Sequence, residues 1–487
     1  MSGFDEYGKH DAVSLAALVN SGETNETELL DEALSRMRAI QPKLNAITYD
    51  MEPFARAANA AGLPDGPFRG VPFMLKDLHV LYKDAPTHNG SRFYNDFVAD
   101  HDTEIVARYK RAGLLTIAKT NTPEFGFCAS TEPISHGAAP NPWDLTRSAG
   151  GSSGGSASAV AAGVLPMAHA TDGGGSIRIP AACCGLVGLK TTRGRNPTGP
   201  DVLDSIQSVG HVVSRTVRDT AHALDATAGP EFGPPNPPIA ETGPFAAEVG
   251  RDPGNLRIAI SKRVVAGDTL DPACADGVDA VARQLEALGH VVEEADPDID
   301  LGFIAEFWRM NAAVGAHVTL ARREAQLGRK LTPDDVEPIT FAAYEQGAQT
   351  SAVDLFKGIQ EVHFIGRRLA EFHKTYDLLL TPTLALRPVE LGYIPMTDTD
   401  IDGYWDRLFR YIPFTPQQNL SGQPAISLPL AMSGDGLPIG IQFAARFGDE
   451  ATLLRIARQL ERAMPWSDRR PPVYSGLPVW RRGHQIH

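Results

Sequence analysis

Two serines of this chain, Ser152 and Ser176, each lie inside a cluster of glycines and are candidates for nucleophilic catalysis. The first cluster reads Gly-Gly-Ser-Ser-Gly-Gly over 150–155, and the second reads Gly-Gly-Gly-Ser over 173–176. Glycine has no Cβ, so three glycines before a serine can direct backbone N–H groups at one point beside its hydroxyl. Acyl transfer places negative charge on a carbonyl oxygen, which such an array of N–H groups stabilises. Ser176 is therefore the predicted nucleophile.

A serine hydroxyl attacks an amide only when a neighbouring base takes its proton, and Lys76 is the predicted base. No histidine is well placed by sequence. Lys76 follows the largely apolar run Gly-Val-Pro-Phe-Met-Leu over 70–75, which resembles a strand. A lysine at a strand end facing a closed pocket is partly desolvated, and desolvation favours the neutral amine. We expect Ser152 to relay a proton between Lys76 and Ser176.

These motifs resemble those of the amidase signature family, whose members hydrolyse carbon–nitrogen bonds of amides with a Ser-Ser-Lys triad. The resemblance spans nearly the whole chain. Within the family, the chain is most similar to bacterial amidases related to 6-aminohexanoate cyclic dimer hydrolase. The matching segments are 119–124, 141–144, 150–156, 173–180, 184–190, 214–219 and 419–427.

The resemblance implies a role for each matching residue. Lys76 is the general base, Ser152 the bridging serine, and Ser176 the nucleophile that becomes acylated. The peptide bond between Gly151 and Ser152 is expected to be cis, as in the family. The oxyanion hole implied by the match comprises the amides of Gly173, Gly174, Gly175 and Ser176. The supporting ion pair expected beneath this loop joins Asp172 and Arg178.

The segment that follows Asn121 is expected to form one wall of the substrate pocket. In similar proteins this segment runs beside the nucleophile and touches the acyl portion of the substrate. Gly126 and Cys128 are both small. The sequence therefore predicts a roomy pocket that accepts a bulky or cyclic amide.

Three other readings of the glycine clusters are weaker. A Gly-x-Ser-x-Gly match at 151–155 would make Ser153 the nucleophile of an α/β-hydrolase, but that elbow follows a hydrophobic strand, and 144–149 is polar. Glycine-serine clusters are common in linkers, but the next segment, 157–163, is an apolar helical run. The spacing over 185–191 does not fit a phosphate-binding loop. These patterns favour the amidase interpretation.

The acyl group of the substrate is left open by the sequence, because substrate choice depends on regions outside the triad. Linear, cyclic and aryl amides all remain candidates, and so do carbamates. The alternative from another class is the amidase-like subunit of a tRNA-dependent amidotransferase, which works in a heteromeric complex and transfers ammonia to an acylated tRNA.

Composition and net charge limit the classes of molecule that this protein is expected to bind. The 487 residues carry a net charge of -14 without a long basic run, which argues against nucleic-acid binding and favours a small neutral amide as the partner. The first residues lack the features of a signal peptide, and no stretch of 18 uncharged apolar residues occurs, so we expect a cytoplasmic protein without membrane contact. Four cysteines show neither metal nor disulfide spacing, and no metal or organic cofactor is implied. The sequence does not determine the oligomeric state, and a homodimer is one of the candidates.

The alternation of strand-like and helical segments predicts an α/β fold, with a central mixed β-sheet covered by helices on both faces. We expect an amidase core over 1–228 with its N-terminal helices and catalytic motifs, and a Pro/Gly-rich connection over 229–255. A smaller α/β and helical cap region is expected over 256–374. The chain is then expected to return to the core sheet over 375–487 and to end in a helix near 450–464.

Overall fold

The structure, a computed structural model, describes residues 6–200, 207–233, 239, 243–265 and 267–476. Its strands are β1 Ile47–Asp50, β2 Pro72–Lys76, β3 Leu115–Thr120, β4 Pro140–Asn141, β5 Asp144–Ser148, β6 Met167–Asp172, β7 Val187–Lys190, β8 Val209–Ser214, β9 Arg257–Ile260, β10 Val291–Glu294, β11 Leu378–Pro382, β12 Ala425–Met432 and β13 Pro438–Ala445.

The α-helices lie before, between and after these strands. They are α1 Ala12–Ser21, α2 Glu26–Leu44, α3 Glu52–Ala61, α4 Glu104–Arg111, α5 Gly154–Ala161, α6 Arg178–Cys184, α7 Val217–Thr227, α8 Phe245–Glu248, α9 Pro272–Ala287, α10 Leu301–Leu327, α11 Pro338–Gln349, α12 Ala352–Phe372, α13 Ile401–Tyr411, α14 Pro416–Ser421 and α15 Glu450–Ala463.

An eight-stranded mixed sheet forms the centre of the fold, with strand order β10-β9-β11-β13-β12-β7-β8-β6. A three-stranded sheet, β1-β3-β2, lies next to its β6 edge, where the backbone N–H of Lys76 in β2 donates to Nδ1 of His169 in β6 at 3.4 Å. The side chain of Lys76, the last residue of β2, also donates to Thr171 near the carboxyl end of β6, so these two strand ends meet where the sheets adjoin. Ser176 of the predicted triad lies in the loop that follows β6.

Helices cover both faces of the eight-stranded sheet, as β13 shows. A Cβ built on Gly440 would lie 2.4 Å from Cβ of Ala182 in α6, whereas Ile439 and Ile441 approach Gly277 of α9. Successive residues of a strand point to opposite faces, so α6 and α9 pack on opposite sides. The predicted fold class, a mixed sheet between two helical layers, is confirmed.

Local sequence signals account for several element boundaries. Helix α2 follows the capping residue Asn25, which accepts a hydrogen bond from the backbone N–H of Glu28. Strand β6 begins at Met167. Proline has no N–H for the ladder, so Pro166 precedes the strand.

The segment predicted as a smaller region, 256–374, contributes to the central sheet. Its strands β9 and β10 pair in parallel with each other, and β9 also pairs in parallel with β11. The other elements of the segment are the helices α9, α10, α11 and α12. The proline run at 234–238 of the expected connection lies outside the described residues, and the division of the chain into these regions stays a prediction.

Within the described ranges, no helix combines the length and apolarity that a membrane crossing requires. The four cysteines are free and buried.

Candidate active site

Lys76 is the last residue of β2, and its side chain has no exposed surface. The preceding Phe73, Met74 and Leu75 are also fully buried, which explains why the strand delivers the amine into the interior. The Lys76 Nζ atom lies 2.6 Å from Oγ of Ser152 and donates to Oγ1 of Thr171 at 2.8 Å. Lys76 and Ser152, which are 76 positions apart in the chain, are therefore in direct contact.

Burial lowers the pKa of Lys76 well below its ordinary value, while the charge of Asp172 acts in the opposite direction and is the smaller effect. A lysine is a base only when neutral, and desolvation is the physical means of making it so. The Lys76 amine therefore meets the electrostatic requirement for accepting a proton from the serine beside it.

The Ser152 loop is held against the segment 128–131 by close backbone contact. The Gly151–Ser152 peptide bond is cis. A Cβ on Gly151 would lie 2.6 Å from the backbone oxygen of Cys128, so only glycine fits at this position. The hydroxyl of Thr131 donates to the backbone oxygen of Gly150 at 2.9 Å.

Ser176 follows β6 and the three glycines, directly before α6, and its side chain is partly exposed. Within the described part of the chain, its hydroxyl has no hydrogen-bond partner, and no hydrogen bond joins it to Ser152. The structure brings Lys76 and Ser152 together and places Ser176 in the loop that follows the adjacent strand β6. The relay from Ser152 to Ser176 stays a prediction.

The loop before Ser176 directs its amides in two directions. The N–H of Gly175 donates to Oδ1 of Asp172 at 2.7 Å. The prediction that Gly175 contributes to the oxyanion hole is therefore corrected, because its N–H is already bound to a carboxylate. Across the described residues, no acceptor binds the N–H groups of Gly173, Gly174 and Ser176, and these three remain the predicted oxyanion donors.

Asp172 and Arg178 form the ion pair expected beneath this loop, and both side chains are fully buried. Burial opposes ionisation of Asp172, but the charge and hydrogen bonds of Arg178 outweigh it and bring the pKa of the carboxyl down to about 2. All five guanidinium N–H groups have acceptors, which lie on Asp172, Gln418, Asn419 and Gln442. The supporting role of the pair stays a prediction.

Gly126, predicted to line the pocket, lies beside the bridging serine. A Cβ at this position would meet Cδ2 of Leu78 at 2.8 Å and Oγ of Ser152 at 3.1 Å, and Gly126 has a φ of +73°. Cys128 is buried, and its thiol donates to the backbone oxygen of Ile394 at 3.2 Å. The glycine thus fits closely against the catalytic centre, and the assignment of both residues to the pocket wall stays a prediction.

Ser153, the nucleophile of the alternative hydrolase reading, is fully buried. Its hydroxyl donates to the backbone oxygen of Thr171 at 3.3 Å and accepts from the backbone N–H of the same residue. The preceding strand β5 belongs to a two-stranded sheet with β4 and includes exposed residues. The Ser153 hydroxyl therefore binds the backbone of β6, and these features argue against Ser153 as the nucleophile.

Sequence reasoning missed three polar contacts of the site. Thr171 binds the Lys76 amine, Trp308 donates to the backbone oxygen of Gly173, and Thr415 donates to that of Gly174. Thr171 belongs to the glycine-rich motif, so its position next to the loop was a usable signal. Trp308 and Thr415 come from distant parts of the chain, and nothing in their local sequence connects them to the loop.

Comparison with known proteins of similar sequence and similar fold identifies the family. The amidase family profile matches residues 28–454. The 6-aminohexanoate-cyclic-dimer hydrolase of Pseudomonas sp. (strain NK87) is 39% identical over 479 residues, covering 95% of this chain and 96% of that protein. A solved structure of 6-aminohexanoate cyclic dimer hydrolase has a TM-score of 0.91 at 38% identity and covers 96% of this chain and 99% of that one.

A bacterial aryl acylamidase of the amidase signature family is also similar in structure. It has a TM-score of 0.86 at 26% identity, covering 94% of this chain and 97% of that one. The predicted resemblance to the cyclic dimer hydrolases is thus confirmed, as is the predicted enzyme class. This chain belongs to the amidase signature family and is an amide-bond hydrolase.

Proposed function

We propose that this enzyme cleaves a small uncharged amide through an acyl-enzyme on Ser176, with Ser152 and Lys76 as the proton relay. The observation that carries the proposal is the contact of 2.6 Å between the fully buried Lys76 amine and the Ser152 hydroxyl. A neutral amine at this distance can accept the serine proton. Ser152 then becomes the acceptor for the proton of Ser176.

In the first half of the reaction, Ser176 Oγ attacks the carbonyl carbon and passes its proton through Ser152 to Lys76. The carbonyl oxygen becomes an oxyanion, which the N–H groups of Gly173, Gly174 and Ser176 stabilise. The proton returns through the same relay to the leaving nitrogen as the carbon–nitrogen bond breaks. In the second half, water loses a proton to the relay and attacks the acyl carbon, and the relay returns that proton to Ser176 Oγ as the ester bond breaks.

The substrate we propose is a compact amide without charge, with a cyclic diamide or an anilide as the leading classes. Two similar proteins bear the names cyclic dimer hydrolase and aryl acylamidase, which motivates these classes. The helix α10 supplies aromatic surface next to the oxyanion loop, because Trp308 contacts Gly174. Apolar surface of this kind suits an uncharged acyl group.

The test is a panel of linear amides, cyclic diamides, anilides and carbamates, assayed with the purified single chain. We expect turnover of at least one amide class by the wild type and none by Ser176→Ala. The Ser153→Ala variant is the matched control, since it removes one hydroxyl from the neighbouring loop and should retain activity. Turnover of carbamates alone favours the carbamate hydrolase, and ammonia transfer that requires partner subunits favours the amidotransferase.

A further inference from the structure

The three glycines before Ser176 have no side chains to hold their backbone, yet side chains from distant parts of the chain bind three consecutive carbonyls, those of Asp172, Gly173 and Gly174. Asn419 Nδ2 donates to the Asp172 oxygen at 3.0 Å, Trp308 Nε1 to the Gly173 oxygen at 2.9 Å, and Thr415 Oγ1 to the Gly174 oxygen at 2.7 Å.

Each hydrogen bond to a carbonyl oxygen also fixes the direction of the N–H group in the same peptide unit. The peptide unit is planar and trans, so its C=O and N–H groups point in opposite directions. The bond from Trp308 to the Gly173 oxygen therefore fixes the N–H of Gly174. By the same geometry, the bond from Thr415 orients the N–H of Gly175, which indeed points away to Asp172.

Trp308 and Thr415 are held tightly against the loop. A Cβ on Gly174 would lie 2.7 Å from Nε1 of Trp308, and one on Gly175 would lie 2.4 Å from Oγ1 of Thr415. The Trp308 ring packs edge-on against Trp405, with ring centroids 5.8 Å apart. Thr415 is fully buried. These two side chains therefore restrain glycines that would otherwise sample many backbone conformations.

We propose that Trp308 and Thr415 are positioning residues for the oxyanion hole of this enzyme. By holding the Gly173 carbonyl, Trp308 keeps the free N–H of Gly174 directed at the carbonyl that Ser176 attacks. By holding the Gly174 carbonyl, Thr415 keeps the N–H of Gly175 on Asp172 and so fixes the backbone between the oxyanion donors Gly174 and Ser176. The role is indirect, because neither residue needs to touch the reacting atoms. The inference rests on the proposed function, in which Ser176 is the nucleophile.

Conservative substitutions can remove the two hydrogen-bond donors, the Trp308 N–H and the Thr415 hydroxyl, while side chains of similar size keep the packing around the loop. Trp308→Phe keeps an aromatic ring but has no N–H, and Thr415→Val replaces the hydroxyl by a methyl group. Loss of an oxyanion donor lowers kcat by roughly 100- to 1,000-fold, so we expect its misdirection to lower kcat by about 10- to 100-fold with KM little changed. Thr415→Ser keeps the hydroxyl and should therefore retain most of the wild-type kcat that Thr415→Val loses.

The matched control is Trp405→Phe, which makes the same change in the same aromatic cluster. Among the described residues, the Trp405 indole donates no hydrogen bond, so this variant should keep the wild-type kcat. Thermal unfolding of all variants separates loss of fold from loss of rate. If Trp308→Phe fails to fold, the comparison of Thr415→Val with Thr415→Ser decides the proposal.

Reaction with a fluorophosphonate separates the failure of this proposal from failure of the proposed function. Wild-type enzyme that is not labelled at Ser176 contradicts the proposed nucleophile. Wild-type enzyme labelled at Ser176, together with folded Trp308→Phe and Thr415→Val variants of unchanged kcat, overturns the positioning role alone. A fall in kcat of equal size in Trp405→Phe, or in Thr415→Ser, also overturns it, because general repacking would then explain the loss.

Discussion

The amine of Lys76 and the hydroxyl of Ser152 lie 2.6 Å apart at a point with almost no solvent exposure. Two other lysines are also fully buried, but their amines bind elsewhere. Lys119 donates to the backbone oxygen of Val80 and to Thr87, and Lys190 donates to the backbone oxygen of Thr191. Burial lowers the pKa of Lys119 to about 8 and that of Lys190 to about 7. Burial alone therefore does not distinguish the three lysines, whereas contact with Ser152, the proposed bridging serine, supports Lys76 as the proposed base.

The first prediction concerns the pH dependence of the rate. Because burial lowers the pKa of Lys76, the neutral amine appears at a lower pH than for an exposed lysine. We expect kcat/KM to rise with pH as Lys76 loses its proton, and then to level off. Lys76→Met should remove this rising limb together with most of the rate, as measured by steady-state kinetics across the pH range.

Lys119→Met is the control for that experiment, because Lys119 is a lysine on the neighbouring strand whose pKa is also lowered by burial, to about 8. We expect it to lower stability while leaving the pH profile in place. If the rising limb disappears in Lys119→Met and persists in Lys76→Met, the assignment of the base is wrong.

The second prediction concerns the ion pair under the oxyanion loop. Arg178→Met should lower the free energy of unfolding at pH 7 by about 3–5 kcal/mol, because it removes the cation that is paired with the buried Asp172 carboxylate. The folded-state pKa of Asp172, about 2, lies below the ordinary value of 3.8, so the pair stabilises the protein above pH 4 and loses its effect as the pH falls through 2. Urea unfolding at several pH values measures this difference.

Arg329→Met provides the comparison at the surface. Arg329 also lowers the pKa of its partner, Asp335, to about 2, but the Arg329 side chain is half exposed. Exposed pairs contribute little to stability, so this variant should unfold almost as the wild type does. Equal losses for both arginine variants would contradict the assignment of Arg178 as a buried structural partner.

The third prediction concerns the close fit of Gly126 against the bridging serine. Gly126→Ala brings a methyl group to within 3.1 Å of Ser152 Oγ at a backbone φ of +73°. Displacement of catalytic atoms by a fraction of an ångström to about 1 Å costs up to roughly 100-fold in rate, so we expect kcat to fall about 10-fold or more. Steady-state kinetics on the best amide of the panel measures the loss.

Gly254→Ala is the matched control for backbone strain. Gly254 has a φ of +72°, and a Cβ there would have no neighbour within 4 Å. Its alanine variant should therefore pay the same conformational cost without a change in kcat. Wild-type kcat in both variants would mean that Ser152 tolerates the added methyl group, and the tight packing inferred at Gly126 would be refuted.

Much of the site was predictable because its chemistry is concentrated in local motifs. The apolar run before Lys76 does form a buried strand. The exception within the motifs is Gly175, whose N–H binds Asp172. A run of glycines indicates that amides can converge, but it does not specify which of them a nearby carboxylate will take.

The contacts of Trp308 and Thr415 were beyond sequence reasoning for a different reason. Each residue is more than 130 positions from the carbonyl it binds. Trp308 lies in α10, which local periodicity identifies only as a helix, and Thr415 precedes the short helix α14. Their meeting with the loop depends on how helices pack around the sheet, which local sequence patterns do not determine.

Identification of the residue that becomes acylated tests the central claim most directly. The wild-type enzyme is allowed to react with a fluorophosphonate, and the modified peptide is located by mass spectrometry. We predict one modification per chain, at Ser176, which is absent from Ser176→Ala and slowed in Lys76→Met. Modification of Ser153, or labelling that persists unchanged in Ser176→Ala, would contradict the account.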